Sequence, residues 1–265
     1  MNPSITGLHH VTAIASDPQR TLDFYVGLLG LRFVKRTVNF DDPTSYHFYF
    51  GDARGTPGTI LTFFAWPQAR RGIRGTGQIE APAFAVPPNS VGYWLDRFME
   101  DHVPAEKISA RFGEEVIRIA DPDGLLIELV ASVSTSGLEP WSDSDVPVEY
   151  SLRGFHGVSI ALEGYERTAK LLTETFGYRL VEQSGNRFRF AALSEAGAGM
   201  EGFDYERARI ELRIPDEFQV EAMAAVGRPG AKELLPGKLQ KRESPNDRRK
   251  VIESIFEGPF VSRSK

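Results

Sequence analysis

The chain has 265 residues, 41% of them hydrophobic and 11% aromatic, which is enough for one or two folded domains and excludes global disorder. Against 31 Lys and Arg stand 36 Asp and Glu, and a net charge of −5 gives no electrostatic reason to expect nucleic acid or an anionic membrane as partner. There is no cysteine, so disulfides, thiolate metal sites and Cys nucleophiles are excluded and any metal must be held by His and carboxylates.

The opening MNPSITGLHHVT lacks the basic start and apolar core of a signal peptide, and no apolar run reaches the roughly 18 residues that a membrane span needs. A cytoplasmic location is the expectation. Internal repetition organises the rest. Three stretches share one pattern: Leu8-His9-His10-Val11-Thr12-Ala13-Ile14-Ala15, Ile79-Glu80-Ala81-Pro82-Ala83-Phe84-Ala85-Val86, and Phe155-His156-Gly157-Val158-Ser159-Ile160-Ala161-Leu162. Each reads as a strand, and His10, Glu80 and His156 are placed at the same position in theirs.

An amphipathic helix follows each stretch. Leu22, Tyr25, Val26 and Leu29 fall at i, i+3, i+4 and i+7, and so do Val91, Trp94, Leu95 and Phe98. Tyr165, Thr168, Ala169 and Leu172 repeat the spacing with weaker residues. One apolar stripe per helix is set to face a sheet. Strands come next: Leu31–Phe40, Ser45–Phe50 and Thr59–Trp66 in the first repeat, then Glu114–Ala120 and Leu125–Ser132 in the second. The third offers Tyr178–Gln183 and Phe188–Leu193. Asp121-Pro122-Asp123-Gly124 is a turn by its chemistry, because Pro presets φ and Gly accepts a positive one. Gly72-Ile73-Arg74-Gly75-Thr76-Gly77 leads into a strand rather than opening a helix, so it is a connector and not a phosphate loop. His102 follows an acidic helix end and reads as a surface cap.

The predicted fold class is therefore α+β, built from tandem βαβββ modules. Residues 5–70 form the first, 73–132 the second and 151–214 the third. A polar linker covers 133–150, and 215–265 form a divergent tail in which 228–250 carry eight Lys or Arg and three Asp or Glu.

This repeat resembles the vicinal-oxygen-chelate superfamily of glyoxalases, bleomycin-resistance proteins and extradiol dioxygenases. Asp121-Pro122-Asp123-Gly124-Leu125-Leu126-Ile127-Glu128-Leu129 is similar to the last hairpin of such a module. The stretches GLHHVT at 7–12, FYVGLLGLRFVKRTVNFDDPTSYHFYFGDARGTPGT at 24–59, RGFH at 153–156 and GNRFRF at 185–190 resemble the hydroquinone-type ring-cleaving dioxygenases. The resemblance covers about residues 5–193.

It implies O₂-dependent cleavage of a hydroxylated aromatic ring at a non-haem Fe(II) or Mn(II), with a hydroquinone-like substrate. It also implies four modules and a facial triad of two His and one Glu, which leaves coordination positions open for substrate and O₂. His10 matches the first ligand. His9, Thr12 and His47 are the implied supporting groups, able to orient ligands and move a phenolic proton. The other two ligands belong to a fourth module, which here is missing or degenerate, since no His follows His156. The segment Arg207–Asp216 reads either as the closing strand of the third module or as the opening strand of a damaged fourth. In the second reading Arg209 stands in a ligand position.

Glu80, Glu128 and His156, with Glu211 possible, form an alternative cluster at places where the superfamily puts ligands. A pairing of modules two and three, an uncovered first-module face and a homo-oligomer are expected. The rival functional readings are a non-catalytic quinone-binding relative and a glyoxalase-like isomerase or thiol-conjugating enzyme with a site between two chains.

Overall fold

The computed structural model describes residues 7–39, 42, 44–67, 72–133 and 138–192. The expected strand at 207–214, the tail, Arg209 and Glu211 lie outside these residues.

The first repeat opens with β1 (His10–Ala15). Asp17 then caps α1 (Pro18–Leu22), its side chain accepting from the N–H groups of Gln19 and Arg20, with Pro18 at the first helical turn. The helix continues with π-type hydrogen bonding over Asp23–Leu28 and ends at Gly30, whose φ is +71°. A Cβ there would lie 2.8 Å from Val146 Cγ2, so glycine serves both the turn and the close approach. Strands β2 (Arg32–Val38), β3 (Tyr46–Gly51) and β4 (Ile60–Ala65) complete a four-stranded sheet in the order β1-β4-β3-β2.

The second repeat has β5 (Gln78–Val86), α2 (Val91–Glu100), β6 (Glu106–Arg111), β7 (Glu114–Ala120) and β8 (Leu126–Ala131). β6 is not evident from the sequence, because Glu106, Lys107 and Arg111 leave it without an apolar alternation; it pairs antiparallel with β7. The third repeat contributes β9 (Phe155–Ala161), α3 (Glu166–Lys170) with a π-type continuation over Leu171–Thr175, β10 (Arg179–Ser184) and β11 (Arg187–Ala191). β9 hydrogen-bonds antiparallel to β5, giving the sheet order β6-β7-β8-β5-β9. This is the link expected between the second and third repeats.

The α+β expectation holds. Helix stripes decide the packing. Phe24, Tyr25, Leu28 and Leu29 are buried, as are Val91, Trp94 and Phe98. They share one core with Val11, Phe48, Phe50, Leu61 and Phe63 of the first sheet and Phe84, Ile117, Ile127 and Leu129 of the second. The helical faces of the first two repeats thus pack together, while on the opposite face of the second sheet Ala83, Val116 and Val130 form a small cluster of their own. The third stripe behaves differently: no residue of α3 or its continuation is buried. Its spacing is right, but Thr168 and Ala169 offer little apolar area to bury.

One sequence alignment is corrected by hydrogen bonding. Trp66 N–H donates to Ala15 C=O as Ser132 N–H donates to Val86 C=O, so Ala15 and Val86 are equivalent. Counting back, Ala81 stands in the place of His10, and Glu80 in that of His9. The stretches Leu8–Ala15 and Ile79–Val86, laid end to end, give the same alignment.

Candidate functional site

The free face of the first sheet is assembled by strand alternation and register. Thr12 lies opposite Thr62, which lies opposite Tyr49, which lies opposite Lys35. In the next row Ile14 faces Phe64, Phe64 faces His47, and His47 faces Thr37. His10 begins the same face beside Ile60. Three of the four predicted residues, His10, Thr12 and His47, are therefore on one open surface, with His10 and Thr12 exposed.

His9 joins them in a way that strand alternation did not predict. It precedes β1, so the alternating geometry does not bind it. Its Nδ1 lies 3.1 Å from Nδ1 of His10, with the two rings edge to face. Burial, then the neighbouring His9, hold the His10 imidazole below its ordinary pKa.

Thr12 accepts a hydrogen bond from buried Thr62 Oγ1 at 2.9 Å. His47 is held from three sides. Its Nδ1 lies 2.9 Å from the Tyr49 hydroxyl, and its ring lies 4.2 Å from those of Tyr49 and Phe64. Burial lowers the pKa of His47 to about 4, with His10 and then Lys35 adding in the same direction. Its Nε2 and the Thr37 hydroxyl are buried without a hydrogen-bond partner. Such atoms carry a cost that a ligand hydroxyl would relieve. Lys35 lies 4.4 Å over the Tyr49 ring, and Phe64 stacks on Trp66. Tyr49, Thr62 and Lys35 were missed because membership of this face follows from cross-strand register, although the run Tyr46-His47-Phe48-Tyr49 already alternates.

At neutral pH this face presents the uncharged imidazoles of His10 and His47, hydroxyls, an aromatic wall and the Lys35 side chain. It can hold a phenol by hydrogen bonding and ring contact. It does not amount to a metal centre. A facial triad needs three protein ligands, and among the described residues no three His, Asp or Glu converge. His10 is available as one ligand; a complete set is not assembled.

Among the described residues Glu80, Glu128 and His156 of the alternative cluster do not converge. Glu128 is 1% exposed and accepts from Arg111 at 2.7 and 3.0 Å and from Arg118 at 2.7 and 3.1 Å. Burial pushes its carboxyl up, but the hydrogen bonds to Arg111 and Arg118 outweigh this and hold it below its ordinary pKa. His156 Nε2 lies 3.3 Å from Glu114, which also pairs with Arg189. Arg111 and Arg118 thus take up the Glu128 carboxylate, and Arg189 and His156 that of Glu114. His102 is an exposed residue with a φ of +55° just after α2, its N–H donating to Met99 C=O. A groove between α1 and α2, lined by Arg20, Asp23, Phe24, Leu28, Arg97 and Asp101, contains none of the predicted site residues. No helix among the described residues is long and apolar enough to cross a membrane.

Residues 7–129, a little under half of the chain, match the family model described as the Glyoxalase/Bleomycin resistance protein/Dioxygenase superfamily, so this stretch is a domain of that superfamily. A Bacillus subtilis (strain 168) protein named "Putative ring-cleaving dioxygenase MhqO" is 41% identical over 72% of this chain and 61% of its own. The chlorohydroquinone/hydroquinone 1,2-dioxygenase of Sphingobium indicum is 33% identical over 71% of this chain and 59% of its own. A crystal structure of a "putative dioxygenase" from Bacillus subtilis subsp. subtilis str. 168 superposes with a TM-score of 0.68. It is 39% identical and covers 74% of this chain and 63% of that one. The chain thus spans about three fifths of the length of the relatives it matches.

Proposed function

We propose that this chain is a ring-cleaving dioxygenase relative that binds a hydroquinone-type aromatic ring on the open face of its first sheet. One observation carries the reading: His10, Thr12, His47 and Tyr49 share that face, and His47 keeps a buried, unpartnered nitrogen there. The ring would lie against Ile14 and Phe64, with its hydroxyls toward the two imidazoles. O₂ is the co-substrate that the dioxygenase names imply, and the cytoplasm, where such small phenols and O₂ are both at hand, is the proposed setting.

Cleavage also needs a metal, Fe(II) or Mn(II) by resemblance, which supplies the means of activating O₂ beside the bound ring. His10 is the ligand this face offers. Since the described residues bring no second and third ligand to it, the chain purified alone should bind methylhydroquinone yet cleave it weakly or not at all. Calorimetric titration with methylhydroquinone, followed by an assay of Fe(II)-reconstituted protein under air, tests both parts. Absence of saturable binding would overturn the aromatic-site reading. Robust turnover lost in His10→Ala would overturn the weak-activity reading and assign the other ligands to residues beyond 192.

A further inference from the structure

The face proposed to hold the ring has two polar ends. At one, His9 and His10 stand together at the start of β1. At the other, Thr37 of β2 lies directly opposite His47 of β3. Both of these side chains are partly exposed, yet the Thr37 hydroxyl oxygen and His47 Nε2 are themselves buried. Among the described residues three buried side-chain polar atoms have no hydrogen-bond partner, and two of the three belong to this opposed pair. The third, Asp52 Oδ2, sits on a carboxylate whose other oxygen accepts from the N–H groups of Arg54 and Thr56.

Register and ring packing explain why the pair does not satisfy itself. Asn39 N–H donates to Ser45 C=O, which makes those two a hydrogen-bonded pair of the β2–β3 ladder. Such pairs alternate with the closer kind, so Thr37 and His47, two residues further along each strand, are a hydrogen-bonded pair as well. Their Cα atoms are then about 5.5 Å apart, the wider of the two spacings. The His47 ring is also drawn toward β4, where it lies 4.2 Å from Phe64, while the Tyr49 hydroxyl holds Nδ1 at 2.9 Å. Above pH 4 the ring is neutral, so one nitrogen carries a proton and the other a lone pair. Nε2 is a donor if Tyr49 donates to Nδ1, and an acceptor if Tyr49 accepts. A ligand hydroxyl, which both donates and accepts, meets His47 and Thr37 in either case.

We propose that Thr37 is a specificity-determining residue: with His47 Nε2 it forms the subsite for the ring hydroxyl farther from His10, and so selects rings that carry a free hydroxyl at both ends. The inference rests on the reading that an aromatic ring binds this face, and adds which residue reads the second hydroxyl. An orphaned buried hydroxyl costs stability in the empty protein, and valine, of the same shape, does not carry that cost. The signature of the subsite is therefore a variant that loses affinity without losing stability.

Calorimetric titration with hydroquinone and with 4-fluorophenol reads it, because fluorine is close to a hydroxyl in size but does not donate and barely accepts. Wild type should bind hydroquinone about tenfold more tightly than 4-fluorophenol. Thr37→Val should lose about fivefold in affinity for hydroquinone and less than about twofold for 4-fluorophenol, with a urea midpoint equal to or above that of wild type. Thr37→Ser keeps the hydroxyl and should retain the preference for hydroquinone. Equal hydroquinone affinity in wild type and Thr37→Val would overturn the proposal and leave the aromatic site standing. So would a lowered urea midpoint in Thr37→Val, which would assign the hydroxyl to the fold, or a Thr37→Ser variant as weak as Thr37→Val. A wild type that binds neither phenol would overturn this proposal and the aromatic-site reading together.

Discussion

The Tyr25 hydroxyl donates to Asp121 Oδ2 at 3.0 Å, and both groups are buried where the helix of the first repeat meets the last turn of the second. The other oxygen, Oδ1, accepts from the N–H groups of Asp123 and Leu125, which holds the Asp-Pro-Asp-Gly turn in shape. Asp123 in turn accepts from Ser16 N–H at 2.8 Å and from its hydroxyl. One turn therefore closes its own hairpin and fastens the neighbouring repeat.

Tyr25→Phe should cost about 1–3 kcal/mol, because it strips a buried carboxylate oxygen of its donor. The effect has a pH signature. Burial, then the charge of Asp121, push the Tyr25 pKa well above 10.0. The folded chain thus keeps a proton that the unfolded chain releases, so stability is intact below pH 10 and falls as pH rises beyond it. Urea midpoints measured upward from pH 9 should show a steeper loss in the wild type than in Tyr25→Phe. Parallel curves would refute this account.

Glu128→Gln should be more damaging, by about 3–5 kcal/mol, because Arg111 and Arg118 lose a carboxylate placed between them in a largely buried site. The lowered pKa of Glu128 contributes stability that is present above the ordinary carboxylate value near 4.5. That contribution is lost as pH falls through the folded-state value. Glu114, lowered by His156 and Arg189 against the opposing pull of burial, adds to the same acid-side loss. Denaturation at pH 7 and pH 3.5 should show the mutational gap narrowing in acid.

Gly154 joins three segments. Its C=O accepts from Ala85 N–H, and the adjacent Phe155 N–H donates to Gly58 C=O. With a φ of +102°, an added Cβ would lie 2.6 Å from Leu138 Cδ1 and 3.0 Å from Gly58 O. Gly154→Ala should cost about 1–3 kcal/mol from backbone strain alone, before any clash. Gly157→Ala, with nothing within 4 Å of its Cβ, is the control and should change the urea midpoint little.

His47→Phe keeps a ring against Tyr49 and Phe64 but removes both nitrogens. Stability should hold within about 1 kcal/mol, while affinity for methylhydroquinone should fall about tenfold, the equivalent of one hydrogen bond. In the wild type, an imidazole held near pH 4 resists protonation that the unfolded chain accepts near 6.5. Its contribution to stability is therefore intact above pH 6.5 and declines from there toward pH 4. A proton NMR titration showing His47 change state between pH 6 and 7 would remove the basis of this prediction.

Alternation, helix stripes and turn chemistry are properties of adjacent residues, so the sequence alone determined the βαβββ repeat, the buried stripe of Tyr25 and Trp94, the Asp121–Gly124 turn and the shared face of His10 and Thr12. Contacts across strands and between repeats depend on register, which neighbouring residues do not specify. Only the tertiary structure therefore brought His47 beneath Phe64 and His9 against His10. The same holds for Glu128: its position on the strand was legible, but its role was not. Whether a buried carboxylate binds a metal or an arginine depends on which charges the fold brings within hydrogen-bonding distance, and Arg111 and Arg118 reach it only once β6 and β7 have paired beside β8.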